Sequence, residues 1–242
     1  MRIDIWSDYA CPFCYIGKRR LEHALSQFAG RDKVEVVYRS FQLDPHAKSD
    51  GDVTIHEMLA KKYNMTLEKA KAMNAQLTEQ AQGVGLDFRF DTMVHTNTFD
   101  GHRLSHYAAK HGKAAEMTER LLRAYFTDSL NLGDRGVLAK LAEEVGLDAA
   151  DAAAMLASDA YSAEVHADIE EGARLNITGV PFFVFNNKYA VSGAQPGPVF
   201  SEVLDTVWAE EQEAPALQVV GQPKGQGQTA GDDSCVDGSC SL

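Results

Sequence analysis

The sequence predicts an α/β protein: a small sheet with flanking helices, built from the two ends of the chain around a long helical block. Three observations predict it. A β-α-β pattern opens the chain between Arg2 and Phe41, and a β-β-α pattern closes it between Gly179 and about Glu210. Between them, from about Asp52 to Leu175, apolar residues recur at helical spacing. The expected division is 1–50 and 176–211 for the two halves of the sheet part, 51–175 for an inserted all-helical domain, and 212–242 for a flexible tail.

The elements follow in order. "RIDIWS" (Arg2 to Ser7) alternates polar and apolar residues and reads as a strand. From Pro12 to Phe28 the spacing is helical, with Leu21, Leu25 and Phe28 on one face, Pro12 suited to the first turn and Gly30 as the stop. "VEVVYRSF" (Val34 to Phe41) is β-branched and aromatic, a second strand. In the helical block "TIHE" (Thr54 to Glu57) is a capping box. Thr66 starts a helix that ends near Gly83. Asn97 to Gly112, Asp134 to Gly146 and Ser158 to Leu175 give three more helices. "GVPFFVFNN" and "KYAVSG" are strands, with Asn186-Asn187 suited to a hairpin turn, and a last helix runs from about Gly197 to Glu210.

The bulk numbers exclude several classes. With 242 residues, 45% hydrophobic and 24% charged, the chain is an ordinary globular protein of one large or two small domains. A formal charge of −12 repels phosphate backbones and argues against nucleic acid. No apolar run is long enough for a membrane helix, and no polybasic segment suggests a membrane surface. "MRIDIWSDYAC" lacks a basic region followed by an apolar one, so the expectation is a cytoplasmic protein with thiols kept mostly reduced.

The stretch with the most chemistry is "SDYACPFCYIG" (Ser7 to Gly17), with Cys11 and Cys14 at the first strand-to-helix turn. A zinc site needs four ligands, and a second pair exists in the tail, but its spacing is poor for a knuckle. A structural disulfide conflicts with a reducing compartment. Redox use is favoured, because Cys-x-x-Cys beside a β-α-β pattern is a thiol-redox signature. Cys11 would sit at the N-terminus of the helix, where the dipole and free N–H groups stabilise a thiolate and lower its pKa. Cys14, one turn inside, would be the resolving thiol. In "TGVPFFVF" (Thr178 to Phe185), Val180-Pro181 before an apolar strand invites a cis peptide; the bland reading is a proline that ends a loop.

Taken together, "SDYACPFCYIG", "YRSFQLDP", "HTNTFDGHRL" and "GVPFFVFNNKYAVSGAQP" resemble the DsbA-like thioredoxin-fold oxidoreductases, and within them the FrnE-like branch, over about Arg2 to Trp208. The resemblance implies a thioredoxin-like fold interrupted by a helical domain, and thiol–disulfide oxidoreductase activity of isomerase or reductase character. It implies Cys11 and Cys14 as the active pair and Val180-Pro181 as the substrate-facing cis-proline loop, with Pro12 and Phe13 also against substrate. No prosthetic group is needed. Substrates would be protein or peptide thiols and disulfides, with glutathione or a thioredoxin system as electron partner. Phe13 cannot donate a hydrogen bond as a histidine could, so a less depressed Cys11 pKa and a weaker oxidant are expected. The superfamily also holds glutathione-using kappa-class transferases and hydroxychromene-carboxylate isomerases, which do not typically need a second thiol. Cys14 speaks against that alternative.

In the tail, "SCVDGSC" sets Cys235 and Cys240 around an Asp-Gly turn. The linker from Gln212 to Ser234 has 23 residues. Treated as a coil it spans about 25–30 Å. An auxiliary redox pair that shuttles electrons to Cys11 and Cys14 stands against incidental or metal-binding cysteines. The remaining candidates are weaker. Asp8 is a proton acceptor or a strand end; Trp6 is substrate-facing or core; Phe41 to Pro45 are a loop exit or a cleft wall. His95, Asn97 and His102 are cleft candidates by resemblance, with an N-cap reading for Asn97 and a packed or solvated one for His102. His46, His56 and His166 lack metal-ligand spacing, and no metal is expected.

Overall fold

The computed structural model of the chain describes residues 1–48 and 53–213. Strand β1 (Arg2–Ser7) leads into helix α1 (Pro12–Gln27) and strand β2 (Glu35–Ser40). Seven helices follow: α2 (Ile55–Lys62), α3 (Leu67–Gln82), α4 (Phe99–Lys110), α5 (Ala114–Phe126), α6 (Arg135–Glu144), α7 (Ala149–Ala157) and α8 (Ser162–Arg174). The chain then returns through β3 (Phe182–Phe185), β4 (Tyr189–Ser192) and α9 (Gly197–Glu213).

One four-stranded sheet has the order β2-β1-β3-β4. β1 and β2 are parallel, and β1–β3 and β3–β4 are antiparallel. β1 therefore sits between elements from the two ends of the chain, as the opening and closing patterns predict. Asn186 and Asn187 both take positive φ (48° and 53°), which fits the tight hairpin their identity suggested. Ile3, Ile5, Leu21, Phe183, Phe185, Phe200 and Leu204 form the core between the sheet and α1 and α9. Gly17 sets the approach of α1 to β3, since a Cβ there would stand 3.1 Å from both Pro181 Cγ and Phe183 Cζ.

The second core lies among the helices, and the cysteine turn reaches into it. Tyr9, Tyr15 and Ile16 pack with Leu104, Leu121 and Phe126. A charged cluster ties α1 to α5: buried Lys18 Nζ meets Glu22 at 2.6 Å and Glu119 at 2.5 Å. Burial alone would raise the Glu119 pKa, but Lys18, Tyr15 and Arg19 hold it below the usual carboxylate range.

Several boundaries differ from the sequence reading. Helix α1 stops at Gln27, capped by Phe28, and not at Gly30. Phe28 leaves helical geometry to pack edge-on against Trp208, 5.7 Å between ring centres. Gly30 instead leaves room for that ring, whose Cε1 would be 2.9 Å from a Cβ. Helix α9 runs on to Glu213, with Glu210 and Glu211 bonded to the β3–β4 hairpin. Helices α5 and α7 were not delimited by sequence signals. Lys113 gives α5 no capping side chain, and α7 is mostly alanine; the Asp148 cap, which accepts from Asp151 N, was the available clue.

Trp6 is core: it is buried and its Nε1 donates to Asp168 O at 2.9 Å. Asp168 itself is buried and receives Arg39 Nη1 at 2.9 Å, Ser40 N at 2.9 Å and His106 Nε2 at 3.0 Å. Burial pushes its pKa up, but these donors outweigh burial and hold it below the usual carboxylate range. A depressed folded-state pKa gives stability that is present above the unfolded value of about 4 and is lost as pH falls through the folded value. Asp168→Asn will therefore cost roughly 2–3 kcal/mol at neutral pH, in line with hydrogen bonds to a charge. In denaturant titrations at decreasing pH the gap to wild type will close; a constant gap contradicts the ionic role.

Candidate active site

Cys11 is the N-cap of α1, with extended backbone (φ −98°, ψ 113°), and Pro12 fills the first helical position. The turn is held by Cys11 N donating to Asp8 O at 3.1 Å and Cys14 N donating to Cys11 O at 3.0 Å. Both thiols are free. Cys11 borders an open cleft of about 550 Å³, whereas Cys14 lies behind it. Both are buried, Cys11 at 4% and Cys14 at 3% exposure, so they differ in position on the cleft rather than in accessibility.

The Val180-Pro181 peptide is cis. Cys11 Sγ donates to Val180 O at 3.5 Å, so this loop lies directly against the sulfur. Pro181 O accepts from Gly193 N at 2.8 Å, which ties the loop to the end of β4. Val180 lines the cleft; Pro181 is buried beneath it. Burial pushes the Cys14 thiol well above the usual thiol range, and the neighbouring Cys11 sulfur adds to the rise, while Ser7 and Asp8 N–H favour the thiolate. Asp8 N donates to Cys14 Sγ at 3.5 Å.

The exposed lining of the cleft is mostly apolar. Phe13 (42% exposed), Leu43 (42%) and Tyr63 (57%) all line it. Met58, Met65, Met73 and Met93, from α2, α3 and their surroundings, line the same cleft. Sequence reasoning did not single out these methionines. Their clustering depends on how α2 and α3 fold back beside the β1–α1 turn, although a methionine on each of two short amphipathic helices was a usable hint. Leu43 and Asp44 show that the exit from β2 does shape the cleft, held by Leu43 N donating to Asp8 Oδ2 at 2.7 Å.

The remaining candidates separate. Asp8, 1% exposed, borders the cleft, as does His95. Asn97 and His102, expected at the cleft, do not line it. Asn97 is consumed in tying the loop after β2 to the start of α4: its Nδ2 donates to Pro45 O and its Oδ1 accepts from Phe99 N, both at 2.9 Å. His102 is buried on the far side of Asp8 and lines a separate cavity. His56 is bonded to Asp91 and Asn74, and His166 packs on Phe99. Among the described residues, no three His, Cys, Asp or Glu side chains form a metal-sized group. Cys235 and Cys240 lie outside the described residues. No helix among those described is long and apolar enough to cross a membrane.

A Cys-x-x-Cys at a helix N-terminus, with a cis-proline loop directly against it and one mixed sheet beneath, defines a thioredoxin-fold thiol protein. Residues 2–205 match the DSBA-like thioredoxin domain family, and the chain belongs to it. It is similar to the probable DsbA oxidoreductase SCO1869 from Streptomyces coelicolor, at 44% identity and a TM-score of 0.84, covering 91% of this chain and 94% of that one. It is 29% identical to the uncharacterized protein YwbO of Bacillus subtilis (strain 168), over 84% of this chain and 96% of YwbO. A 2-hydroxychromene-2-carboxylate isomerase shares the fold, at 15% identity and a TM-score of 0.66, covering 89% of this chain and all of that one.

Proposed function

We propose that the protein is a thiol–disulfide oxidoreductase that reduces or isomerises disulfides in polypeptides. The observation that carries this reading is the position of Cys11: a helix N-cap sulfur on the wall of an apolar cleft, with Cys14 behind it and Val180 O beside it. The Cys11 thiolate attacks a substrate disulfide, forming one S–S bond and releasing one substrate thiolate. Cys14 then attacks Cys11, releasing the second substrate thiolate and leaving the Cys11–Cys14 disulfide. In isomerisation a substrate thiol displaces Cys11 instead. Phe13 and Pro12 would contact the bound chain, and Val180-Pro181 would lie along it. Family membership and the SCO1869 likeness support the oxidoreductase class. Cytoplasmic location, glutathione or a thioredoxin system as electron partner, and a shuttling role for Cys235 and Cys240 rest on the sequence.

Reduction of insulin and refolding of a scrambled disulfide protein test the reading. Turnover that Cys14→Ser makes dependent on external thiol, with mixed disulfides accumulating when that thiol is withheld, supports it. A chain inert toward both proteins, but active on a small electrophile with glutathione and indifferent to Cys14→Ser, would instead be a glutathione-dependent transferase or isomerase. Phe13→Ser separates substrate binding from chemistry. It will raise KM for an apolar peptide disulfide about 5- to 10-fold, the worth of about 1 kcal/mol of lost burial. The rate with a small aromatic disulfide reagent will be unchanged; an unchanged KM removes Phe13 from the substrate surface.

A further inference from the structure

The chain has 7 methionines, and Met58, Met65, Met73 and Met93 line the cysteine cleft. The local sequence puts them there. Met58 shares a face of α2 with Ile55 and Lys62, and Met73 shares a face of α3 with Leu77; all five border the cleft. Met65 is placed by the turn between the two helices. Asn64 takes positive φ (49°) past the end of α2, and Met65 N donates back to Ala60 O at 2.9 Å. That bond belongs to a helix stop which brings the following apolar side chain back toward the last turn. The other methionines lie elsewhere: Met117 and Met155 in the core among the helices, and Met1 against the sheet core.

Exposure divides the set. Met58, Met65 and Met73 are half-buried, so solvent reaches them, whereas Met93 is 5% exposed, Met117 0% and Met155 7%. Once Cys11 and Cys14 are joined, no thiolate borders the cleft, and the methionine thioethers are its remaining oxidisable sulfurs among the described residues. We propose that Met58, Met65 and Met73 form a peroxide-oxidation site whose sulfoxides close the cleft to apolar polypeptides while leaving the chemistry of Cys11 intact. This rests on the oxidoreductase reading. The balance is a thioether plus a hydroperoxide giving a sulfoxide plus an alcohol, or water when the oxidant is hydrogen peroxide. The peroxide O–O bond breaks and an S–O bond forms. The sulfur is oxidised and the peroxide reduced by the same electron pair, and the second peroxide oxygen leaves with the proton.

A thioether is apolar and flexible, and a sulfoxide is a polar hydrogen-bond acceptor. An apolar chain bound over three sulfoxides would cover acceptors without supplying donors, which costs free energy that the thioethers do not demand. Leucine would fill nearly the same volume without this reactivity. The two kinds of sulfur also recover differently. The Cys11–Cys14 disulfide is reopened by ordinary thiols, whereas a methionine sulfoxide needs its own reductase. The cysteines therefore follow the thiol pool, and the methionines follow exposure to peroxide.

The test uses the full chain, converted to its disulfide form with diamide, treated with hydrogen peroxide and then reduced with dithiothreitol, which restores thiols and leaves sulfoxides. Peptide mapping by mass spectrometry should find the added oxygen at Met58, Met65 and Met73 and not at Met117 or Met155. KM for an apolar peptide disulfide should rise about tenfold over the untreated chain. The rate with 5,5′-dithiobis(2-nitrobenzoate) should stay within about twofold, since that reaction needs Cys11 but not the apolar lining. Methionine sulfoxide reductases A and B together should return KM to its starting value. In the Met58→Leu, Met65→Leu, Met73→Leu variant, KM before and after peroxide should be the same, whatever its own value. Sulfoxides at these positions with an unchanged KM, equal slowing of both substrates, or the same rise in the leucine variant each overturn the proposal. So does a peroxide-treated chain in which these methionines stay unoxidised. Failure of the functional reading is seen separately, as an untreated chain that exchanges nothing with the peptide disulfide or insulin.

Discussion

Cys11→Ser will reduce disulfide exchange with insulin to the rate of the uncatalysed reaction, and Cys14→Ser will not have the same effect. With Cys14 replaced, Cys11 still stands at the α1 N-cap on the cleft wall and still attacks, but the adduct is released only by external thiol. Covalent complexes with substrate polypeptides should therefore accumulate on non-reducing gels for Cys14→Ser and be absent for Cys11→Ser. The order of reactivity follows from position: Cys14 is behind Cys11 and its thiol is driven up by burial, so little of it is thiolate until an adduct forms. Equal loss in both variants without trapped complexes would contradict the assignment of roles.

Arg103→Ala will give the largest loss of stability outside the site. The guanidinium is 2% exposed and ties α4 to the end of α7 and the turn into α8. Its Nε donates to Ala160 O at 2.8 Å, Nη2 to Met155 O at 3.0 Å and to Ser158 O, and Nη1 to Asp100 Oδ1 at 2.6 Å. Removing it takes the guanidinium donors from the Ser158 and Ala160 carbonyls and leaves Asp100, among the described residues, with Arg135 as its ionic partner. The expected cost is about 3–5 kcal/mol, as for breaking a buried charge pair. That is roughly 6–20 °C in melting temperature for a chain of this size. A change under about 1 kcal/mol would mean that water replaces the guanidinium in full.

What could be read from the sequence was local. The cysteine pair, the Pro12 start, the Thr54 capping box and the Asn186-Asn187 turn each depend on residues within a few positions of one another, and each is found where it was expected. The pairing of the two chain ends followed from the element order alone. The rest depended on distant partners. Arg103 meets groups more than fifty residues away, and no pattern near it announces this. His102 was visible as a candidate, but only the fold shows that Asp8 stands between it and the cleft. Asn97 was chosen by resemblance and proved to be tied to the loop after β2. The methionine wall arises because α2 and α3 turn their apolar sides toward the cysteine turn.

The most direct test of the account is the reduction potential of the Cys11–Cys14 pair, measured by equilibration against glutathione or dithiothreitol and quantified by mass spectrometry. Phe13 offers the Cys11 thiolate no hydrogen bond, and the buried Cys14 thiol is held protonated, so little favours the dithiol form as a thiolate. The predicted potential is at or below the cytosolic glutathione poise, about −220 mV or lower, which suits a reductase or isomerase. A value near about −120 mV, that of a strong disulfide donor, would contradict that account and point to an oxidase.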